Sequence, residues 1–241
     1  MTFEITSLEK SPLVWYLIQS QIFNIIKDQK KMKRILFQGD SITDASRNRE
    51  ALPESNNGFG AGYPGLVAAR IFGDHLGNEY NVINRGISGN RVVDLYARWK
   101  VDCLNLKPDV LSILIGVNDT WHEKGHQNGV EVDRYKLIFD MLLDWTVKTL
   151  PEVKLVLMEP FVLEHGAVTA DWLPEIAARG AVVKELAAKY NAVFIPCQQI
   201  LNDAAAKAGS GELILRDGVH PTLMGHQVLA DAWLKYAGSL I

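Results

Sequence analysis

Short apolar runs alternate along the chain with longer segments whose apolar residues recur at helical spacing, from Arg34 onward. The run at 110–115, "VLSILI", is almost continuously apolar, as strands are when helices cover both faces of a parallel sheet. The pattern predicts strands at 35–38, 80–84, 110–115, 154–158 and 192–195, and helices at 62–72, 92–106, 133–150, 176–190, 199–208 and 222–236. This alternation predicts an α/β sandwich around a parallel sheet with right-handed crossovers.

The segment before the first predicted strand has a different pattern. Apolar residues between Leu13 and Ile26 approximate helical spacing, which predicts an N-terminal helical extension at 1–31 ahead of a domain at 32–241. Polar residues at 19, 20, 21 and 24 make the run too polar to cross a bilayer. The first residues are acidic rather than cationic, so we predict no secretory signal and a cytoplasmic location. We expect the extension to pack on its own domain or at a subunit contact of a homo-oligomer.

Composition narrows the class of protein. The chain has 241 residues, of which 48% are hydrophobic and 22% are charged, enough for one sizeable core. The net charge of −3 provides no basic surface for a nucleic-acid backbone, so we expect no nucleic-acid partner. The residues of the N-terminal extension do not favour binding to a membrane surface either. Cys103 and Cys197 lie far apart in apolar segments, which indicates buried free thiols in a reducing compartment.

Polar clusters follow the predicted strands. "GDSITD" at 39–44 follows the first strand, "NRGISGNRV" at 84–92 the second and "GVNDTW" at 116–121 the third, and "RDGVHPTLMGH" occupies 216–226. The carboxyl ends of parallel strands share one edge of the sheet, where open α/β folds bind their ligands. The sequence therefore predicts that these clusters meet at one rim.

The residues in these clusters are those that acyl transfer requires. The hydroxyl of Ser41 needs an adjacent base to become a nucleophile, and His220 can accept its proton. Asp217, three residues earlier, can orient the imidazole, as the third residue of a serine hydrolase triad does. A developing oxyanion needs fixed donors, which the backbone N–H groups of Ser41 and Gly89 and the side-chain amide of Asn118 can supply.

Each of these residues also has an ordinary structural interpretation. Ser41 alone fits a helix N-cap or a turn, Asn118 fits a turn, and Asp217 with Gly218 forms a common turn pair. The catalytic interpretation depends on all the clusters occurring together.

Other polar residues are assigned to structure. Asp40 is expected to bond turn N–H groups, Asp44 to lie in the first turn of a helix, and His226 to be a structural residue of the last helix. Asp119 is expected in a turn. The histidines show no ligand spacing and no glycine-rich segment follows a strand as a phosphate loop would, so we predict neither metal nor cofactor.

Three further residues are predicted to bind substrate. Trp121 follows Asn118 in its cluster, and Arg91 and Arg216 adjoin the other clusters. An aromatic ring at the rim can stack on a sugar. The arginines can bind a carboxylate or phosphate of the substrate, or they can support the site from behind, and the sequence leaves both open.

The four blocks "GDSITD", "GISGN", "GVND" and "DGVH" resemble, in order, those of the SGNH hydrolase superfamily, also called GDSL esterases/lipases. The resemblance covers about 35–236 and leaves out the extension. It implies a flavodoxin-like three-layer α/β/α sandwich with a five-stranded parallel sheet in an SGNH hydrolase domain at 32–241. It also implies Ser41, Asp217 and His220 as catalytic residues and Ser41, Gly89 and Asn118 as the oxyanion hole.

The longer sequences that include the second and third blocks are similar to those of acetylxylan esterases and related carbohydrate acetyl esterases. We therefore expect a serine esterase that hydrolyses small acyl esters and deacetylates carbohydrates. The alternatives are a thioesterase or lysophospholipase acting on longer acyl chains, and a non-catalytic carbohydrate-binding protein of the same fold.

Overall fold

The structure is a computed structural model that describes residues 32–77 and 79–241. The predicted helical extension at 1–31 lies outside these residues. Five parallel strands form one sheet in the order β2-β1-β3-β4-β5. They are β1 Lys33–Gly39, β2 Tyr80–Asn84, β3 Val110–Leu114, β4 Lys154–Met158 and β5 Val193–Ile195. The predicted α/β class and five-stranded parallel sheet are confirmed.

Eight α-helices alternate with or follow these strands in the described part of the chain. They are α1 Ser41–Asp44, α2 Tyr63–Asp74, α3 Val92–Asp102, α4 Val117–His126, α5 Val132–Thr149, α6 Leu173–Lys189, α7 Cys197–Ala208 and α8 Leu223–Ala237. The helix predicted at 92–106 is shorter than expected, because α3 ends at Asp102 and a separate 3₁₀ turn covers Leu104–Leu106. None of the helices in the described ranges is both long enough and apolar enough to cross a membrane.

Helix α4 was not predicted, and its composition explains why. Its buried first turn consists of Val117, Asn118, Asp119 and Thr120, which are mostly polar, and the rest of its surface is largely exposed. An amphipathic helix is recognised by apolar residues three and four positions apart, and α4 has no such stripe.

Two apolar cores lie on opposite faces of the sheet, because successive strand residues point to opposite sides. On β1, Ile35 and Phe37 belong to the core that α2, α7 and α8 cover, and Leu36 belongs to the core that α3, α5 and α6 cover. Each strand interior is thus buried on both faces, which accounts for the continuous apolar runs. Cys103 and Cys197 are buried, one in each core, and unpaired, as expected.

The strand order places a ligand-binding crevice at one point of the sheet. The chain runs from β1 outward to β2 and then crosses back to β3 on the other side of β1. Ligands in open α/β folds bind beyond the strand ends at such a reversal. The segments that follow β1 and β3 begin with Asp40 and Ile115, so the first and third polar clusters flank this point.

Candidate active site

A tight turn at the end of β1 presents Ser41. A side chain at Gly39 would lie 2.3 Å from Thr43 Oγ1 and 2.4 Å from the carbonyl oxygen of Leu114, so only glycine fits there. Asp40 is the N-cap of α1, and its carboxylate accepts the N–H of Ile42 at 2.9 Å. The structural role expected for Asp40 agrees with this geometry. Ser41 is the first helical residue and not the cap, so its own N–H has no acceptor within the helix.

Ser41 and His220 lie 179 residues apart in sequence and contact each other directly. Ser41 Oγ is 2.9 Å from His220 Nε2, and His220 Nδ1 is 2.7 Å from Asp217 Oδ2. Since a carboxylate only accepts hydrogen bonds, Nδ1 carries the ring proton and Nε2 is left to accept the Ser41 hydroxyl. The three side chains thus form one continuous hydrogen-bonded chain.

The loop 217–222 holds the imidazole in place. Asp217 Oδ1 accepts the backbone N–H groups of His220 at 2.7 Å and Val219 at 3.0 Å. Partial burial opposes ionisation of Asp217, but these bonds and the imidazole outweigh it and hold the pKa of the carboxyl below its usual value. Gly218 adopts φ of 87°, and a side chain there would come within 2.4 Å of the carbonyl oxygen of His165. Asp217 is therefore ionised at neutral pH and fixed to the residue that it orients.

Three residues predicted to supply hydrogen-bond donors line one cleft: Ser41, Gly89 and Asn118. Besides the N–H of Ser41, the N–H of Gly89 has no acceptor among the described residues. Gly89 has φ of 83° with open space around its Cα, so glycine is required there for its backbone conformation. Asn118 uses one amide hydrogen on the carbonyl oxygen of Asn90 at 3.1 Å and lines the cleft.

Asp44 connects the serine turn to the Gly89 loop. Its Oδ2 accepts the backbone N–H of Ser88 at 3.0 Å and its hydroxyl at 3.2 Å, and the same oxygen pairs with Arg49 at 2.7 Å. Burial opposes ionisation, but Arg49 and these N–H groups hold the pKa of Asp44 below its usual value. Asp44 lies in the first turn of α1, as expected. Because α1 is a single turn, the carboxylate is free to fix the residue before Gly89.

Contacts of Asp119 and Thr120 hold the first helical turn of α4, which carries Asn118. Asp119 lies in α4 rather than in the expected turn, and its carboxylate accepts the N–H of Val92 at 3.1 Å. Burial raises the pKa of Asp119 to about 6, although Arg179 lowers it in part. Arg179 is also buried and donates to Thr120 Oγ1 at 3.0 Å. These contacts tie the turn of α4 that carries Asn118 to α3 and α6.

The cleft at this site has a volume of about 480 Å³. The Trp121 ring lies 5.5 Å from the His220 ring and 5.5 Å from the Trp172 ring, measured between centroids. Its lining consists of Ser41, Ala45, Ser46, Ser88, Gly89, Asn118, Trp121, His122, His126, Arg216 and His220. The structure thus brings together every catalytic and oxyanion residue predicted from the sequence except Asp217, which contacts the cleft through His220.

The three predicted substrate-binding residues are placed differently. Trp121 and Arg216 line the cleft. Arg91 is absent from the lining, and its guanidinium pairs with Asp94 at 3.0 Å and donates to the carbonyl oxygen of Asn128 at 2.7 Å. Of the two roles left open for Arg91, the structure favours support, because it joins α3 to the loop after α4.

Sequence reasoning missed Ala45, Ser46 and His126 as cleft residues. Ala45 and Ser46 follow the first block directly and both have positive φ, 40° and 61°. Left-handed backbone is uncommon outside glycine, so no residue-type signal marked them. Their position next to "GDSITD" is the one indication that the sequence offered.

His226 is a structural residue, as expected. Its Nδ1 accepts the backbone N–H of Tyr63 at 3.2 Å. Burial lowers the pKa of His226 to about 4, and the nearby positive charge of Arg216 adds to this effect. The folded protein therefore holds His226 neutral at pH values where the unfolded chain binds a proton.

This difference predicts a specific pH dependence of stability. Between pH 6.5 and about 4 the unfolded state binds more protons at His226, so the free energy of unfolding falls as the pH is lowered through this window. The full contribution is about 3 kcal/mol. In His226→Gln, we expect a shallower decrease of stability over this window, measured by urea unfolding at several pH values. The exposed His126→Gln variant is the control, and an unchanged slope in His226→Gln would contradict the assignment.

No group of three or more His, Cys, Asp or Glu side chains in residues 32–77 and 79–241 is arranged to hold a metal ion. The arrangement brings together a serine hydroxyl, an imidazole and an amide among the residues that line the cleft.

Comparison with known proteins agrees with this geometry. Residues 37–228 match the GDSL-like Lipase/Acylhydrolase family. An acetylxylan esterase from Geobacillus stearothermophilus is 36% identical over 214 residues, which cover 86% of this chain and 94% of that protein. The fold and the family match together define the class of protein: the chain belongs to the GDSL-like lipase/acylhydrolase family. It is a carboxylic ester hydrolase, similar in sequence to an acetylxylan esterase.

Solved structures show the same relationship. A putative GDSL-like lipase from Parabacteroides merdae superposes with a TM-score of 0.81 at 40% identity, covering 88% of this chain and 98% of its own. The acetylxylan esterase Axe2 from Geobacillus stearothermophilus superposes with a TM-score of 0.75 at 33% identity, covering 86% of this chain and 95% of its own. Structures of catalytic mutants of Axe2 replace a serine or an aspartate with alanine.

Proposed function

We propose that this carboxylic ester hydrolase removes acetyl groups from carbohydrates, with Ser41 as nucleophile, His220 as general base and Asp217 as the residue that orients His220. The observation that carries the proposal is the chain of hydrogen bonds from Asp217 through His220 to Ser41, at 2.7 and 2.9 Å. A serine hydroxyl bonded to the unprotonated nitrogen of an oriented imidazole is ready to lose its proton as it attacks.

The reaction follows from these positions in two halves. Ser41 Oγ attacks the ester carbonyl carbon while His220 Nε2 takes the hydroxyl proton, and the carbonyl oxygen becomes an oxyanion. The intermediate then expels the sugar oxygen, which receives that proton, and an acetyl group remains on Ser41. A water molecule, deprotonated by His220, attacks the acetyl-serine, and acetate leaves as the Ser41 hydroxyl is restored.

We assign stabilisation of the oxyanion to three donors: two backbone N–H groups and the amide hydrogen of Asn118 that is not bonded to Asn90. The N–H groups of Ser41 and Gly89 and the amide of Asn118 lie on the same lining as the nucleophile. Donors fixed by the backbone need no reorganisation when charge develops on the carbonyl oxygen. The bonds from Asp44 to Ser88 and from Asp119 to Val92 hold the donor-bearing segments at these positions.

The acetyl and carbohydrate parts of the proposal are supported by the relatives. The acetylxylan esterase matches 86% of this chain, so the similarity spans the cleft as well as the core. Trp121 beside His220 offers a flat apolar surface of the kind on which a sugar ring packs. We also propose that the protein acts in the cytoplasm and as a homo-oligomer.

An acyl-length series tests the preference for acetate. For p-nitrophenyl acetate, butyrate and octanoate, we expect kcat/KM to decrease beyond butyrate, by on the order of tenfold or more at octanoate, if the acyl site is built for a methyl group. Deacetylation of an acetylated xylo-oligosaccharide, followed as acetate release, should accompany this preference. A maximum at octanoate would instead support a thioesterase or lysophospholipase.

The same assays with EDTA test the assignment of the chemistry to protein groups. We expect unchanged rates, since the proposed reaction needs no metal. Loss of activity in EDTA that returns on adding a divalent ion would contradict the proposal. Absence of turnover with every ester would favour the non-catalytic carbohydrate-binding alternative.

A further inference from the structure

Arg216 lies where two cavities meet at the nucleophile. The cleft of about 480 Å³ adjoins a smaller cavity of about 270 Å³. Both are lined by Ser41, Ala45, Ser46, Arg216 and His220. A substrate whose ester group is at Ser41 and whose remainder fills either cavity therefore passes beside Arg216.

The guanidinium of Arg216 is not used by the fold. Its backbone N–H donates to the carbonyl oxygen of His220 at 2.9 Å, but its exposed side chain has no hydrogen-bond or ion-pair partner among the described residues. Neighbouring arginines differ in this respect, since Arg49 pairs with Asp44 at 2.7 Å and Arg91 with Asp94 at 3.0 Å. Arg216 thus presents an unpaired guanidinium at the cleft.

The described lining residues of the two cavities bring no carboxylate against this guanidinium. No Asp or Glu side chain is part of the lining that the described residues provide to either cavity. The carboxylate of Asp217 is held by His220 and Val219. Burial and the nearby Arg91 lower the pKa of His122, so that side chain is neutral at pH 7. Among the described residues that line either cavity, Arg216 is therefore the one that carries a permanent charge.

Building on the proposed function, we propose that the acetylated carbohydrate carries a carboxylate, as uronic acids do, and that Arg216 binds this carboxylate. The carboxylate belongs to the alcohol part of the ester, because an acetyl group has only a methyl besides its carbonyl. One guanidinium matches the charge and the two oxygens of a carboxylate. A phosphate monoester carries about −1.5 to −2 charges and would remain partly unmatched.

A pair of substrates that differ only in this charge tests the proposal. One is an acetylated methyl glucuronoside with a free carboxylate, and the other is its methyl ester at the carboxyl group. We expect kcat/KM for acetate release to be on the order of tenfold higher for the free acid, mainly through KM. The advantage should shrink at high salt, because Arg216 is exposed to solvent.

The variant Arg216→Gln assigns the effect to this residue. We expect the ratio of the two kcat/KM values to fall to about one. The variant Arg216→Lys should retain part of the preference for the free acid, because lysine keeps the positive charge but lacks the paired N–H donors of a guanidinium. Arg134→Gln is the matched control, since Arg134 is an exposed arginine of α5 paired with Glu131 outside the cleft. It should keep the wild-type ratio.

Three outcomes would overturn the inference. The first is a ratio of about one in the wild type, and the second is a wild-type ratio that persists in Arg216→Gln. The third concerns phosphate: if inorganic phosphate inhibits more strongly than free glucuronate, and only when Arg216 is present, the anion is phosphate and not carboxylate. Failure of the proposed function is distinguishable, because then neither acetylated substrate is hydrolysed.

Discussion

Replacing Ser41 with alanine will reduce kcat for p-nitrophenyl acetate by about 10⁴-fold or more while leaving the fold intact. The reason is that Ser41 Oγ is the atom bonded to His220 Nε2 at 2.9 Å, and no other described hydroxyl has this contact. The donors of the cleft remain in the variant, so a residual rate above that in water is expected. Initial rates under saturating substrate measure the effect.

Two controls separate loss of chemistry from loss of structure. Far-UV circular dichroism and the thermal midpoint should match the wild type, since Ser41 lies at the cleft surface rather than in either core. Ser55→Ala removes an exposed hydroxyl that bonds the carbonyl oxygen of Leu52, and it should retain full activity. A fluorophosphonate should label the wild type at Ser41 and leave Ser41→Ala unlabelled. Full activity in Ser41→Ala would exclude Ser41 as the nucleophile.

The variant Asp217→Asn should lower kcat by about 10²- to 10⁴-fold. The carboxylate holds the ring proton on His220 Nδ1 at 2.7 Å and stabilises the imidazolium that forms during attack. An amide is neutral and can present an N–H to Nδ1, which favours the tautomer whose Nε2 carries a proton and cannot accept from Ser41. The loss should be comparable to, or smaller than, that in Ser41→Ala.

Asp203→Asn is the matched control for this substitution. Asp203 lies on the exposed side of α7, bonded to Gln199, away from the cleft. Wild-type rates are expected in this variant at every pH tested. Wild-type rates in Asp217→Asn as well would show that the orientation of His220 does not depend on Asp217, and the proposed mechanism would have to be abandoned.

Much of the fold follows from local pattern. The predicted strands at 80–84 and 154–158 have the observed bounds, because runs buried on both faces end abruptly at polar or proline residues. The carboxyl ends of all strands in a parallel sheet lie at one edge. The polar clusters that follow the strands are therefore expected to lie close together although they are distant in sequence. The contact between Ser41 and His220 agrees with that expectation.

The failures concern elements whose stability comes from neighbours rather than from their own sequence. Helix α4 has a polar buried turn that is stable because Asp119 accepts the N–H of Val92 and Arg179 donates to Thr120. These partners are up to 59 residues away, so no local periodicity reports them. The sequence motifs contain Asp44 and Arg91 but do not indicate their partners. Asp44 binds Ser88 and Arg91 binds Asn128 because the loops that carry them approach each other in the folded protein.

The sequence by itself determined the alternation of strands and helices, the parallel sheet and the residues that we propose carry the chemistry. Residue type and spacing are sufficient for these predictions. A strand that is buried on both faces has a continuous apolar sequence, and polar or proline residues follow where it ends. Only the tertiary structure decided that Asp44 supports the Gly89 loop, that Arg91 is engaged outside the cleft and that Arg216 faces it unpaired. Hydrogen bonds and ion pairs between distant loops depend on a few ångströms of approach, and local sequence does not encode that distance.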